Sequence, residues 1–307
     1  MLGPLLYILY TAELAHVVAR HGLSLHQYAD DCQVYISSPV DDAPAAVDQL
    51  STCLVDVEAW LKASRLRLNP AKTQVMWLGS QQLLSRLDIV DVSILSSDIR
   101  VQEKARDLGV VIDSRLSLSD HVASVCRSGY YQLRQLRPVV RCSSEDATKT
   151  LVQAFIASRL DYCNVLYYGI YDELIRRLQS VQNAAARLVT GTRRSDHISP
   201  VLRQLHWLPV RQRVVFKVAT LVYQSLCGHA PSYLVDDCQL VTDVRARKLR
   251  SADTRTLAVN RTCSSFGDRT FAAAATRVWN SLPPDMRKPE LSYGQFRRYL
   301  KTFLFGQ

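Results

Sequence analysis

The sequence lacks several patterns that would assign it quickly to a class of protein. Its eight cysteines form no Cys-x-x-Cys pair and have no spacing to histidine that is typical of zinc sites. No Ser or Cys stands at a spacing to histidine that suggests a catalytic triad, and no Walker-type glycine-rich loop or internal repeat occurs. The sequence therefore gives no support to a zinc protein, a P-loop nucleotide hydrolase or a repeat protein.

Signals for secretion and for membrane insertion are also missing. The apolar N-terminal run has no basic segment before it, contains Pro4, soon reaches Glu13 and is too short to span a bilayer. We interpret this run as a helix that faces a core. We also expect reduced, mostly buried cysteines without disulfide partners, in a nuclear or cytoplasmic protein that has no membrane contact.

Composition and charge indicate a globular chain with a basic second half. Of the 307 residues, 48% are hydrophobic and 21% are charged, which suits two or three folded domains. Residues 1–118 carry 10 Lys+Arg and 14 Asp+Glu, a net charge of −4, whereas residues 119–307 carry 28 and 14, a net charge of +14. This asymmetry favours a nucleic-acid partner, because Lys and Arg that neutralise phosphates release counterions. A generic solvated surface is the alternative.

Hydrophobic periodicity predicts an α+β first part and a helical remainder. In the first part the predicted elements are a helix over 5–20, a hairpin over 23–36, a helix over about 44–61, a strand over 74–78, a loop over 79–86 and strands near 92–95 and 108–112. The predicted sheet with helices on one side fits an α+β fold.

From Ser119 onwards the apolar spacing becomes that of helices. Predicted helices cover the stripe from Val122 to Leu136, a segment after a capping box at 143–146, and residues 171–190, 198–205, 210–226, 268–281 and 292–304. Residues 243–262 are basic and poorly periodic. Their cations Arg245, Arg247, Lys248 and Arg250 indicate a loop that contacts phosphate or, equally, a disordered surface segment.

Two adjacent carboxylates stand at the tip of the predicted hairpin. Asp30 and Asp31 lie in the sequence Tyr28-Ala29-Asp30-Asp31, between two segments rich in β-branched, aromatic and leucine residues. Hard divalent cations prefer carboxylate oxygens, so the doublet suits a metal site. Ordinary turn chemistry is the competing interpretation, since Asp hydrogen-bonds its own backbone and tolerates unusual dihedral angles.

Other blocks give the doublet a context. In order, the blocks are Leu2-Gly3-Pro4-Leu5-Leu6, Tyr28-Ala29-Asp30-Asp31, Asn69-Pro70-Ala71-Lys72-Thr73 with the apolar 75–78, and Arg106-Asp107-Leu108-Gly109-Val110. Their order and spacing resemble the reverse transcriptases of non-LTR retrotransposons, in particular CR1/jockey-like LINE elements. The likeness extends into the C-terminal half through Leu205-His206-Trp207-Leu208-Pro209 and Val278-Trp279-Asn280.

The resemblance implies a partial polymerase palm over 1–118, a helical thumb-like region over 119–195 and a helical basic region over 196–307. It implies that Asp30 and Asp31 bind Mg²⁺, two ions in the intact family site, for nucleotidyl transfer from dNTP to a primer 3′-hydroxyl on an RNA template. It places Tyr28 near the DNA primer, and Lys72 near the triphosphate as a catalytic residue. The competing interpretations are a packed strand aromatic for Tyr28 and an exposed turn lysine for Lys72.

The resemblance also implies missing parts. The family's fingers and a palm strand with a third catalytic carboxylate would lie before Met1, so we interpret the chain as an N-terminally truncated copy that is inactive or very weak alone. The alternatives are a non-catalytic nucleic-acid-binding retrotransposon remnant and a poorly folding product whose bare sheet edge favours aggregation.

Overall fold

The computed structural model describes residues 2–95, 97–244, 255–259 and 261–306. The chain divides into two compact units, Met1–Ser117 and Leu118–Gln307. The first unit combines helices with three small antiparallel sheets, and the second is built from helices. The structure is therefore of mixed type, with helices and antiparallel strands, as the sequence predicts.

The first unit contains four α-helices and six strands in its described residues. They are α1 (Gly3–Tyr10), α2 (Leu14–Arg20), β1 (Ser24–Tyr28), β2 (Asp31–Tyr35), α3 (Ala43–Ala63), α4 (Gln81–Leu84), β3 (Asp91–Ile94), β4 (Ser97–Arg100), β5 (Lys104–Asp107) and β6 (Val110–Asp113). Each strand pairs only with its neighbour in sequence, so β1–β2, β3–β4 and β5–β6 are three separate two-stranded sheets instead of the single predicted sheet.

Helix α3 organises the first unit because it contributes to two small cores. Cys53 and Val57 pack with the buried residues of α2 and with the half-buried face of the β1–β2 hairpin. Leu54 instead packs with Val92 and Ile94 of β3. The apolar stripe that predicts this helix is therefore shared between two partners: one side of it packs against α2 and the hairpin, and the neighbouring side packs against β3.

Helix α1 does not face a core, contrary to our interpretation. None of its residues is buried, and Leu5, Leu6 and Leu9 are all more than half exposed. The predicted helix over 5–20 is instead broken at Thr11, whose side chain bonds back to the Tyr7 carbonyl oxygen at 3.0 Å. In the part of the chain that the structure describes, no helix is long and apolar enough to cross a membrane.

The prediction of a strand over 74–78 is wrong, because the backbone of this segment does not hydrogen-bond along a single neighbouring strand. The Val75 carbonyl oxygen accepts from Gln102 at 2.8 Å, while the Gly79 N–H donates to Ser114 at 3.0 Å. Only an isolated bridge between Val75 and Val101 results. The predicted loop over 79–86 contains α4, which Ser80 caps by accepting a hydrogen bond from Leu83.

The second unit contains ten α-helices in its described residues. They are α5 (Ser119–Val140), α6 (Glu145–Val152), α7 (Ser158–Asp161), α8 (Asp172–Thr190), α9 (Ile198–Gln204), α10 (Val210–Leu226), α11 (Ser232–Asp236), α12 (Val241–Val244), α13 (Phe271–Ser281) and α14 (Tyr293–Phe305). The helices predicted from periodicity are confirmed. The predicted capping box at 143–146 is only half present: Ser144 accepts from Ala147, but position 147 has no polar side chain to bond back.

An aromatic core joins α10, α13 and α14. The rings of Tyr223 and Phe296 stack with centroids 4.6 Å apart, and Trp279 lies 5.8 Å from Phe296. The indole N–H of Trp279 donates to the Arg255 carbonyl oxygen at 2.8 Å, which satisfies the one polar group that this side chain buries. Contacts of this kind explain why the second unit has the larger core.

The cysteines are less buried than expected. Cys53, Cys126 and Cys238 are buried, whereas the other five are exposed, namely Cys32, Cys142, Cys163, Cys227 and Cys263. The prediction of mostly buried cysteines is therefore wrong, because these five lie in the hairpin or at helix ends and turns instead of on apolar helix stripes.

Candidate active site at a hairpin tip

The carboxylate doublet lies at the tip of a tight hairpin. Tyr28 pairs with Asp31, so that Ala29 and Asp30 form a two-residue turn between β1 and β2. Ala29 has φ +54°, a left-handed conformation that a side chain with a Cβ rarely adopts. The register holds Asp31 as the first residue of β2 and Asp30 directly before it.

The hairpin has one half-buried face and one exposed face. Leu25 and Val34 pair on the half-buried face, which packs against the core of α2 and α3. Tyr28 and Asp31 are also a cross-strand pair, but they lie on the exposed face, and the Tyr28 side chain is 65% exposed. The Tyr28 ring is therefore not a packed strand aromatic, and it lies beside one of the two carboxylates.

Gln27 secures the turn, and the sequence interpretation did not single it out. Its side-chain amide donates to the Ala29 carbonyl oxygen at 3.0 Å and to the Thr11 hydroxyl oxygen at 3.0 Å. The hairpin turn is thus connected to the break between α1 and α2. Gln27 lies two positions after Leu25 and therefore on the same inward face of β1. A polar residue on that face was the signal in the sequence that could have identified it.

The negative charge of the doublet acts on two neighbouring side chains. Desolvation, followed by the charges of Asp31 and Asp30, raises the pKa of the Cys32 thiol. Desolvation also raises the pKa of the Tyr7 phenol, with further contributions from Cys32 and Asp30. The charge of the doublet therefore contributes to the pKa of a thiol in β2 and of a phenol in α1.

Both carboxylates are exposed, and no lysine, arginine or hydrogen-bond donor of the described residues occupies their oxygens. Mg²⁺ characteristically binds one or two carboxylates and completes its shell with waters and substrate phosphates, so the donor set fits such an ion. Across the described ranges, no group of three or more His, Cys, Asp or Glu side chains lies close enough together to hold a metal.

Lys72 lies in a tight turn over residues 69–73. The Asn69 carbonyl oxygen accepts from the N–H groups of Lys72 and Thr73, both at 3.1 Å, and the Asn69 side chain accepts from Ala71. The Lys72 side chain is exposed, and among described side chains no hydrogen bond or ion pair joins it to Asp30 or Asp31. The four cations predicted to bind nucleic acid, Arg245, Arg247, Lys248 and Arg250, lie outside the described residues.

The first unit is similar to a known protein family. Residues 1–112 match the family model of reverse transcriptases, described as RNA-dependent DNA polymerases. Over these residues the N-terminal unit is similar to the reverse transcriptase family. This result confirms the resemblance on which the sequence interpretation rests, and it places the hairpin tip inside the matched reverse transcriptase segment. Enzymes of this family generally use divalent metal ions.

Two curated relatives from Drosophila melanogaster extend the likeness beyond the reverse transcriptase segment. One is a probable RNA-directed DNA polymerase from transposon BS, 28% identical over 201 residues. The other is a probable RNA-directed DNA polymerase from transposon X-element, 28% identical over 200 residues. Each match covers 62% of this chain but only 21% of the relative, so the chain spans about a fifth of their length. No solved structure matches this chain significantly.

Proposed function

We propose that the N-terminal unit is part of the palm of an RNA-directed DNA polymerase from a non-LTR retrotransposon. The reaction would add dNMP from dNTP to the 3′-hydroxyl of a DNA primer on an RNA template. The observation that carries this proposal is the pair of open carboxylates, Asp30 and Asp31, at a fixed hairpin tip inside the segment that matches reverse transcriptases.

Asp30 and Asp31 would hold Mg²⁺ through their free oxygens. A bound divalent ion stabilises the negative charge that develops during phosphoryl transfer and activates the attacking hydroxyl. Tyr28, exposed beside Asp31, would contact the primer terminus through its ring. Lys72 would offset charge on the triphosphate or protonate the leaving pyrophosphate, a role that suits an exposed ammonium without a carboxylate partner among the described residues.

Metal binding is the direct test of the doublet, and the chain contains a matched control. Asp41 and Asp42 are a second adjacent pair of exposed aspartates, but Asp41 forms an ion pair with Arg86 at 2.6 Å. We expect Asp30→Asn/Asp31→Asn to abolish the tightest Mn²⁺ binding measured by electron paramagnetic resonance. Asp41→Asn/Asp42→Asn should retain it. Equal losses in the two double variants would contradict the assignment.

Primer extension tests activity separately. The family resemblance implies a three-carboxylate cluster, whereas the doublet supplies two ligands, so we expect this chain alone to extend an oligo(dT) primer on poly(rA) very weakly with Mg²⁺ or Mn²⁺. Robust extension that Asp30→Asn abolishes would show the expectation of weak activity to be wrong, while supporting the role of Asp30.

A second candidate is a non-catalytic nucleic-acid-binding protein, located like the first in the nucleus or cytoplasm. The net charge of +14 over residues 119–307 favours it. For this function Asp30→Asn would leave nucleic-acid affinity unchanged or raise it slightly by removing a like charge. Binding with a steep salt dependence but no extension under any metal would favour this second candidate over the polymerase.

A further inference from the structure

A groove in the second unit lies between α5 and α8. It encloses about 470 Å³ and is lined chiefly by Arg127, Tyr130, Tyr131 and Arg134 of α5 and by Arg177 and Ser180 of α8. The four α5 residues follow the spacing i, i+3, i+4, i+7, which places them on one face of the helix. Because a helix rises about 1.5 Å per residue, this face extends roughly 10 Å from Arg127 to Arg134.

The groove concentrates positive charge that the protein does not neutralise. Its lining includes three arginines and no acidic residue. Within the described part of the chain, none of the guanidinium groups of Arg127, Arg134 and Arg177 has an ion-pair or hydrogen-bond partner. Other arginines of the same unit do have such partners: Arg211 pairs with Asp172, and Arg213 pairs with Asp161. The groove arginines are therefore available to an anionic ligand.

Two tyrosines add flat apolar surface between the arginines. Tyr131 is 57% exposed, and no ring or hydrogen-bond contact among the described residues engages it. Tyr130 is also exposed, and its hydroxyl oxygen lies 2.8 Å from the Ser180 hydroxyl oxygen, which connects α5 to α8 across the groove. One ring is thus held in place and the other is free to rotate onto a planar group.

A close helix contact builds the floor of the groove. A Cβ atom at Gly129 would lie only 2.7 Å from Cγ1 of the buried Val181, so glycine allows α5 and α8 to approach closely at this point. Gly129 immediately precedes the two tyrosines. The groove is therefore set by packed helices and does not depend on loop residues.

We propose that the groove between α5 and α8 binds a single-stranded polynucleotide, with the arginines on successive phosphates and the tyrosine rings stacked on bases. Guanidinium groups recognise phosphate geometry, and aromatic rings bind every base by stacking. Alternation of cations and exposed aromatics favours a nucleic acid over an acidic peptide, which has no planar groups for Tyr131. Stacking also requires splayed bases, which favours a single strand over a duplex. The groove belongs to the second unit and lies outside the segment that matches the reverse transcriptase model.

The test is fluorescence anisotropy with the full chain and labelled oligouridylate or oligodeoxyuridylate of about 12 nucleotides, a length typical for such sites. Nucleotides are omitted and a chelator is present, so that failure of catalysis at the hairpin tip does not affect the result. We expect Arg127→Gln/Arg134→Gln to weaken binding about tenfold and to reduce the slope of log affinity against log salt by roughly 1 to 1.5. Arg298→Gln, on the exposed face of α14, is the control and should change the affinity less than twofold.

Substitutions of Tyr131 separate the contribution of base stacking to affinity from that of charge. Tyr131→Leu should weaken binding about tenfold without changing the salt slope, whereas Tyr131→Phe should bind like the parent protein. Tyr299→Leu is the matched control, because Tyr299 is a helical tyrosine that is 51% exposed and lies away from the groove. Circular dichroism establishes that each variant is folded.

Three results would overturn the proposal. The first is parent affinity in both the arginine double variant and Tyr131→Leu. The second is competition by poly-glutamate as effective as that by unlabelled oligonucleotide, which would assign the groove to acidic peptides. The third is equal affinity for a duplex of the same length. Oligouridylate and oligodeoxyuridylate differ only in the 2′-hydroxyl, so a preference between them that Tyr131→Leu abolishes would support the site and identify RNA or DNA as the preferred strand.

Discussion

The candidate sites of the two units lie on different kinds of secondary structure: the carboxylate doublet on a short hairpin, and the groove on two packed helices. In the first unit no residue of β1 or β2 is fully buried, and the hairpin rests on a small core around α2 and α3. In the second unit the groove lies on α5 and α8, whose inward faces bury an extended apolar stripe. Elements with few buried contacts open most easily, so the hairpin tip is the more adaptable of the two sites.

This difference suits the chemistry of each site. A Mg²⁺ ion at the proposed site would take its remaining ligands from waters and substrate phosphates, so two carboxylates on a short hairpin need a fixed register more than a deep core. Stacking and phosphate contacts depend on side chains spaced along a rigid surface, which packed helices provide. Comparable substitutions in the cores of the two units should therefore differ strongly in their effects on stability.

The largest effect is expected for Trp279→Ala, which removes a side chain that is only 1% exposed from the aromatic core. We expect the free energy of unfolding of the second unit to fall by about 3–5 kcal/mol. Trp60→Ala in the first unit should cost less than half as much, because Trp60 is only partly buried and its N–H contacts Glu13 at the surface at 3.3 Å. Guanidinium unfolding followed by circular dichroism measures both, and equal losses would contradict the contrast between the two cores.

A smaller effect is expected for Gly129→Ala at the floor of the groove. The new Cβ would clash with Val181, so we expect a loss of about 1–3 kcal/mol despite the better helix propensity of alanine. In a Val181→Ala background the penalty should shrink. Gly294→Ala in α14 is the control, since its Cβ would meet no atom within 4 Å, and it should be neutral or stabilising. Thermal melts report both differences.

A pH-dependent effect is expected from Asp268 in the second unit. Hydrogen bonds from Thr262 and Arg277 lower the pKa of this carboxyl. A lowered folded-state pKa contributes stability that is present above the ordinary carboxyl pKa of about 3.9 and is lost as the pH falls through the folded value. Below about pH 4 the free energy of unfolding should therefore fall less steeply with decreasing pH in Asp268→Asn than in the parent protein. Denaturant unfolding at a series of pH values measures this slope. Identical pH profiles would show that the ion pair makes no contribution.

The smallest effect on stability is expected in α1. Leu9→Gln should change the free energy of unfolding by less than about 0.5 kcal/mol, because Leu9 is exposed and leaves no cavity. Leu14→Gln, the same change at a buried position of α2, should be strongly destabilising. A large loss from Leu9→Gln would show that α1 packs more tightly than its exposed side chains indicate.

Long periodic segments could be predicted from the sequence. Helix α3 and the helices α5, α8, α10, α13 and α14 follow their apolar stripes closely, and the two-residue alternation around Asp30 and Asp31 predicts the hairpin that the structure contains. These elements are set by local spacing. The roles of Asp30, Asp31, Tyr28 and Lys72, like the predicted domain boundaries, stay predictions.

Features that depend on tertiary partners could not be predicted. The strand over 74–78 fails because its backbone bonds to separate segments, which no local pattern encodes. The apolar spacing of α1 suggests burial, but apolarity alone does not provide a partner surface. The groove was missed because Arg127, Tyr131 and Arg134 come together with Arg177 only when α5 packs against α8. The interleaved cations and aromatics of α5 were the one available signal.

The two-residue turn at Ala29 and Asp30 fixes which residues of the hairpin share a face. Paired residues of an antiparallel hairpin lie on the same face, so Asp31 faces solvent for as long as it pairs with Tyr28. A slip of the pairing by a single residue would turn Asp31 toward the face that Leu25 and Val34 occupy. The exposure of this carboxylate is therefore a property of strand register, and the presence of the two aspartates in the sequence does not by itself guarantee it.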